Sequence, residues 1–419
     1  MTRLLYWLVV LLSLIATQTA LAQSVRIIEW SRGRSPVAIL FLHGLGGCAV
    51  PSGMTAKREC AEGAEDSFRN PSASKSWPEI IATDDYRIAS NALAEVLPKP
   101  FRMEDLGVWG VDYSRLTTSG CATFSVPEAA RLVRSQIEAS QLFERYEQVI
   151  IVAHSMGGLI AKNMLLAWQN SNDSDGMLAR TIGLLFLGVP SQGSDIAPSP
   201  GTARYILETL GVNKLANACS RQAKDLFAGD ENTYLRDLER RWEQLLNARR
   251  SASHSAAPLV YCAYETLPEP ILSKYVTATI VKQIYAQTQC SDEQFALPTY
   301  HTMLPKPSGP EDDVHRAWLS RRLDDLFRQW ALWGFSRYDF LATDTFENFA
   351  RHVNRSQRAF VLDVSEMKDL KPLPGKFEAP DNFALASKVA AANSLCIEED
   401  WTAGKSGRVA FRLAGHCRP

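Results

Sequence analysis

The feature that most constrains this chain is a sharp junction at residues 153–158, Ala-His-Ser-Met-Gly-Gly. Before it stands the apolar run 148–153 (QVIIVA), and after it residues 157–168 read as a helix. A buried strand that turns at once into a helix brings the two elements almost into contact. Small residues must flank the apex, and a serine there is held in a strained backbone with its hydroxyl projecting. Ala153, Gly157 and Gly158 meet that demand around Ser155. A second small-x-Ser-x-Gly string, residues 197–201 (APSPG), lacks a preceding apolar run. Pro198 and Pro200 also exclude the strand–turn–helix context there.

The surrounding pattern alternates in the same way. Residues 36–42 (PVAILFL) form a continuous apolar run that ends at His43-Gly44, as expected of a strand buried on both faces. Residues 106–111 are a shorter candidate, and 181–187 and 259–264 are two more, the last being the final clear strand. Ser125 and Glu128 are spaced as a capping box opening a helix to about Phe143. Strands alternating with helices imply an α/β architecture, a mostly parallel sheet flanked by helices. With a serine at the strand–helix apex, the expected fold is that of the α/β-hydrolases, over residues 23–333. Residues 194–257 interrupt the alternation with a polar, helical pattern and read as an insertion that serves as a lid. Residues 312–333 read as an amphipathic helix with Leu319, Leu323, Leu326, Trp330 and Trp333 on one face. Residues 334–419 read as a small accessory domain.

Composition narrows the function classes. The 419 residues carry a formal net charge of −1, with 46% hydrophobic and 22% charged residues. That balance offers no basic surface for nucleic acid. The first 22 residues differ from the rest: Arg3, an apolar run from Leu4 to Ile15, then Ala20-Leu21-Ala22. They read as a signal peptide cleaved before Gln23, with a retained membrane anchor as the alternative, and cleavage predicts an exported, periplasmic or extracellular protein. All eight cysteines lie downstream, an even number in an exported chain, and this suggests disulfides. Cys48–Cys60 and Cys396–Cys417 each close a short loop and are the favoured pairs; Cys262 reads equally well as a buried free thiol. With no C-x-x-C pair and no histidine cluster, no metal or cofactor is expected.

A serine hydroxyl becomes nucleophilic only when a base takes its proton, and the resulting oxyanion needs N–H donors. Residues 43–47 (HGLGG) follow the first apolar run and bring a backbone N–H toward the nucleophile. The N–H groups of Leu45 and Met156 are the expected oxyanion donors, with His43 structural. The base follows the last strand in chain order. Of seven histidines, His301, in the loop before the 312–333 helix, stands in that place, whereas His315 reads as a solvated helix-face residue. The acid belongs at or after the 259–264 strand, where Glu265 comes first and Asp292 is the alternative.

The elements FLHGLGG, VAHSMGGLIAK, FLGVPSQGSD, YCAYETLP and YHTMLPKP occur in that order between residues 37 and 333. Together they resemble the lipase-like serine esterases related to the mitochondrial serine active-site-containing protein and the glycosylphosphatidylinositol inositol-deacylase. The resemblance implies Ser155 as nucleophile, His301 as base and Glu265, within Tyr-Glu-Thr, as acid. It implies ester hydrolysis on lipid or acylated substrates, with peripheral membrane contact, or acyl transfer by the same residues. A non-catalytic binding protein on the same scaffold is the reading of another class. One departure falls at residues 190–194, Pro-Ser-Gln-Gly-Ser, where the family commonly has Pro-His-x-Gly-Ser. The signal peptide is another, and it points away from the intracellular members.

Overall fold

The computed structural model describes residues 25–33, 35, 37–83, 106–117, 124–146, 148–169, 177–194, 222, 225–226, 228, 232–251, 258–270, 279–286, 289–336, 340–341, 396–400 and 410–414. The expected signal peptide, the second serine string at 197–201 and Cys417 lie outside them. The chain divides into two compact units. One comprises Met1–Arg87, Met103–Ser251 and Ala257–Trp318; the other comprises Ile88–Arg102, Ala252–Ala256 and Leu319–Pro419.

The first unit is built on a seven-stranded sheet. In chain order its strands are β1 Arg26–Ser31, β2 Val37–Leu42, β5 Gly107–Asp112, β6 Gln148–His154, β7 Thr181–Leu187, β8 Leu259–Glu265 and β9 Phe295–Leu297. A separate parallel pair, β3 Gly47–Cys48 and β4 Glu65–Asp66, lies beside it in sequence. The spatial order is β1-β5-β2-β6-β7-β8-β9. Every neighbouring pair is parallel except β1 on β5. Every residue of β2, β5 and β7 is buried, as helices on both faces require. The apolar runs therefore gave no alternation, and their continuity was the signal. The edge strands β1 and β9 escaped that test. β1 is half exposed and β9 is three residues long.

The helices follow from local chemistry. At α1, Trp77–Ala82, and α2, Val126–Ala139, a serine and a glutamate three residues on cap the start reciprocally. The α2 helix stops short of Phe143 because Gln141 adopts φ 58°, and a separate turn, Leu142–Arg145, follows. α3, Met156–Gln169, is apolar almost all round and packs between α2 and α4, Thr233–Ser251. On α4, Leu235, Leu238, Trp242, Leu245 and Leu246 form the buried face. Lys162 of α3 is wholly buried, donates to Ser191 Oγ at 2.8 Å and pairs with Glu239 of α4 at 2.5 Å. This described part of the 194–257 insertion thus belongs to the helical layer, as a crossover between β7 and β8. α5 spans Asp313–Ser336, and on it Leu319, Leu323 and Leu326 are buried.

Two disulfides are formed among the described residues, Cys48–Cys60 as expected and Cys262–Cys290. The second corrects the free-thiol reading of Cys262: β8 passes beside the segment leading into β9, which brings its partner within reach. In the second unit, Phe340–Leu341, Cys396–Asp400 and Ala410–Ala414 form an antiparallel sheet with the last strand central. No helix among the described residues is long and apolar enough to cross a membrane.

Candidate active site

The parallel register places the ends of successive strands side by side. Leu42 pairs with Ala153, His154 with Leu187, and Leu187 with Ala263. The carboxyl ends of β2, β6, β7 and β8 therefore meet along one edge, where open α/β sheets hold their ligands.

Ser155 sits between β6 and α3 with φ 52°, a left-handed conformation that non-glycine residues avoid. Two hydrogen bonds hold it there. Its N–H donates to Leu187 O at 2.9 Å, and its carbonyl accepts from Gly158 N–H at 3.0 Å. The flanking glycines are required by contact. A Cβ on Gly157 would lie 2.6 Å from the His43 carbonyl oxygen. One on Gly44 would lie 3.0 Å from Ser155 Cβ. The 43–47 loop thus runs against the serine, and Leu45 and Met156 are both buried beside it. Among the described residues, neither amide takes part in the backbone hydrogen bonds of the turns and loops.

His301 opens a short 3₁₀ turn, His301–Met303, and is 1% exposed. Its Nδ1 lies 3.2 Å from Glu265 Oε1 at the end of β8. That oxygen also accepts from Val281 N–H at 2.7 Å, so the carboxylate is held from two sides. Ser155 and His301 meet the same corner. Ser155 bonds to Leu187, and a Cβ on the next residue, Gly188, would lie 3.0 Å from His301 Nδ1. Asp292, the alternative acid, is exposed instead, and its Oδ1 accepts the N–H of Glu293 at 2.7 Å. The structure brings Glu265, not Asp292, to the imidazole.

Among the described residues, the other histidines are accounted for differently. His43 is wholly buried, stacks on Tyr113 at 3.7 Å and accepts the Tyr113 N–H at 3.1 Å, as a structural residue would. His154 is buried, which pushes its pKa well below the ordinary imidazole value and keeps it neutral. Its Nε2 lies 3.0 Å from the His301 carbonyl oxygen, so it props the loop that carries the other histidine. His315 corrects the solvated-face expectation. It is buried edge-on to Trp77, with Nε2 2.9 Å from Leu304 O. Amphipathic spacing had located the helix but not its packing.

A recess of about 240 Å³ opens beside the 44–47 loop. Its side chains include Glu65, Ser67, Glu269, Tyr300, Thr302 and Lys306. Glu269 and Lys306 were not singled out in the sequence, where a lone carboxylate and a lone lysine carry no pattern. Glu269 Oε1 accepts from Thr302 Oγ1 at 2.9 Å, and Oε2 accepts from Thr302 N–H at 3.3 Å. Burial raises its pKa above the usual carboxylate range.

A doubly flanked parallel sheet, with a strained serine at a strand–helix junction and a glutamate-bonded histidine at the next corner, defines the α/β-hydrolase class. A family model described as the alpha/beta hydrolase family matches residues 39–324, and the chain belongs to that family. Protein SERAC1 of Mus musculus is 25% identical over 208 residues, 46% of this chain and 28% of the relative. Protein SERAC1 of Bos taurus is 39% identical over 90 residues, 20% of this chain and 14% of the relative. This chain spans 28% or less of the length of the SERAC1 relatives it matches. Among solved structures, Bacillus licheniformis lipase BlEst2 in mature form aligns with TM-score 0.40 and 11% identity, over 67% of this chain and 92% of the other. The Paleococcus ferrophilus monoacylglycerol lipase aligns with TM-score 0.36 and 13% identity, over 72% and 99%.

Proposed function

We propose that this protein is a serine hydrolase of carboxylic esters on lipid or acylated substrates. The observation that carries the reading is the 3.2 Å approach of His301 Nδ1 to Glu265 Oε1, at the corner that also holds Ser155. A carboxylate on Nδ1 fixes the neutral tautomer that leaves Nε2 as a lone pair. His301 then takes the Ser155 proton as the hydroxyl attacks the ester carbonyl. The Leu45 and Met156 N–H groups receive the oxyanion. Collapse of the tetrahedral intermediate expels the alcohol, which takes the proton from His301, and leaves an acyl-serine. Water, deprotonated by the same imidazole, releases the acid and restores the serine.

Export is part of the same proposal. Two disulfides among the described residues support an oxidising compartment, in keeping with a signal peptide removed before Gln23. A fluorophosphonate probe tests the chemistry. The purified protein is expected to label, and a Ser155→Ala variant is not. Equal labelling of both proteins, or none of either, ends the reading.

A further inference from the structure

Lys306 is 9% exposed, and among the described residues its ammonium has neither an ion-pair nor a hydrogen-bond partner. The carboxylates of Glu65, Asp66 and Glu269 act on this ammonium through space, and it is not sealed from solvent, so it can donate to a group bound beside it. It lines the recess beside the 44–47 loop, together with Glu269, which is 4% exposed. The recess therefore presents a strong donor and a strong acceptor on two largely buried residues. The hydroxyls of Tyr300, Thr302 and Ser67 and the exposed carboxylate of Glu65 stand around them.

Resting on the esterase reading, we propose that this recess receives the alcohol half of the substrate and that this half is polyhydroxylated, with Lys306 and Glu269 setting the preference. Position argues for the alcohol side. His301 must hand its proton to the leaving oxygen, so the alcohol lies on the imidazole side, and Tyr300 and Thr302 of the recess flank His301 in the chain. Chemistry argues for hydroxyls. Each hydroxyl donates once and accepts twice, so adjacent ones satisfy a carboxylate and an ammonium together. A hydrocarbon chain would displace water from the ammonium and the carboxylate and return no hydrogen bond to either. An anionic head group would meet Glu65 and Glu269, and a cationic one would meet Lys306.

The test holds the acyl group constant and varies the alcohol. Butanoate esters of propanol, glycerol (at the primary hydroxyl), glucose (at the 6-hydroxyl), glycerol phosphate and choline are compared with the full chain. The glycerol or the glucose ester is expected to exceed the propyl ester in kcat/KM by about tenfold, the scale of one or two buried hydrogen bonds. Which of the two leads tells a glyceride from a sugar ester. Lys306→Met and, separately, Glu269→Gln are expected to bring that ratio toward one. Binding of the glycerol and glucose esters to Ser155→Ala, with and without Lys306→Met, is measured by calorimetry and gives the same comparison without turnover. Equal rates on the propyl and hydroxylated esters, a preference for the phosphate or choline ester, or an unchanged ratio or affinity on loss of Lys306 overturns the proposal. If all esters are inert and no fluorophosphonate label appears, the esterase reading fails instead; if the propyl ester turns over without preference, only the recess assignment fails.

Discussion

Ser155 keeps φ 52° because its N–H and carbonyl are both held and because glycine carbons leave the space around it. Gly157→Ala places a methyl 2.6 Å from one backbone carbonyl oxygen and 2.7 Å from another, and backbone cannot swing aside. A loss of about 1–3 kcal/mol is expected in urea denaturation, together with loss of activity; wild-type stability would contradict the elbow packing. Glu265→Gln retains an oxygen for Val281 N–H and His301 Nδ1 but removes the charge that, in the proposed mechanism, steadies the imidazolium. Its kcat is expected to fall by about 10²–10³-fold with KM nearly unchanged. A change confined to KM in ester kinetics would show that Glu265 does not act through His301. The serine and histidine were legible in the sequence because each follows an unbroken apolar run or stands after the last one. The choice between Glu265 and Asp292 was not, since both carboxylates follow the same strand. The contact of Glu265 with His301 and the exposure of Asp292 separate them.

The helix that follows Ser155 carries Lys162, whose ammonium is buried and bonded to Glu239 and Ser191. Burial lowers the lysine's pKa, and Glu239 opposes that shift. Removing the acid alone strands the charge. Glu239→Leu is expected to cost about 3–5 kcal/mol, whereas the double variant Lys162→Met, Glu239→Leu is expected to lie near the wild type. The two are read from denaturant midpoints, and a single variant as stable as the double would show that the pair anchors nothing. Of residues 194–257, α4 is the main described part. Period 3.6 identified α4, but a polar helix looks the same whether it covers a site or packs in a layer. For α4 itself, the apolar face from Leu235 to Leu246 and the buried lysine beneath it place the helix in the layer.

Across the first unit, Cys48–Cys60 and Cys262–Cys290 close loops with sequence separations of 12 and 28 residues. In the chain-entropy account each stabilises by roughly 3 kcal/mol. Dithiothreitol is therefore expected to lower Tm by several degrees, and Cys262→Ala with Cys290→Ala to reproduce much of that fall; a reductant-insensitive Tm would contradict it. The sequence by itself determined the parallel sheet and the serine at the strand–helix apex, because continuous apolar runs and glycine spacing are local signals. Tertiary structure alone decided which carboxylate meets the imidazole, which cysteine pairs with Cys262, and that Lys306 and Glu269 share a recess. Those depend on residues far apart in the chain arriving at one sheet edge, and local patterning carries no record of such encounters.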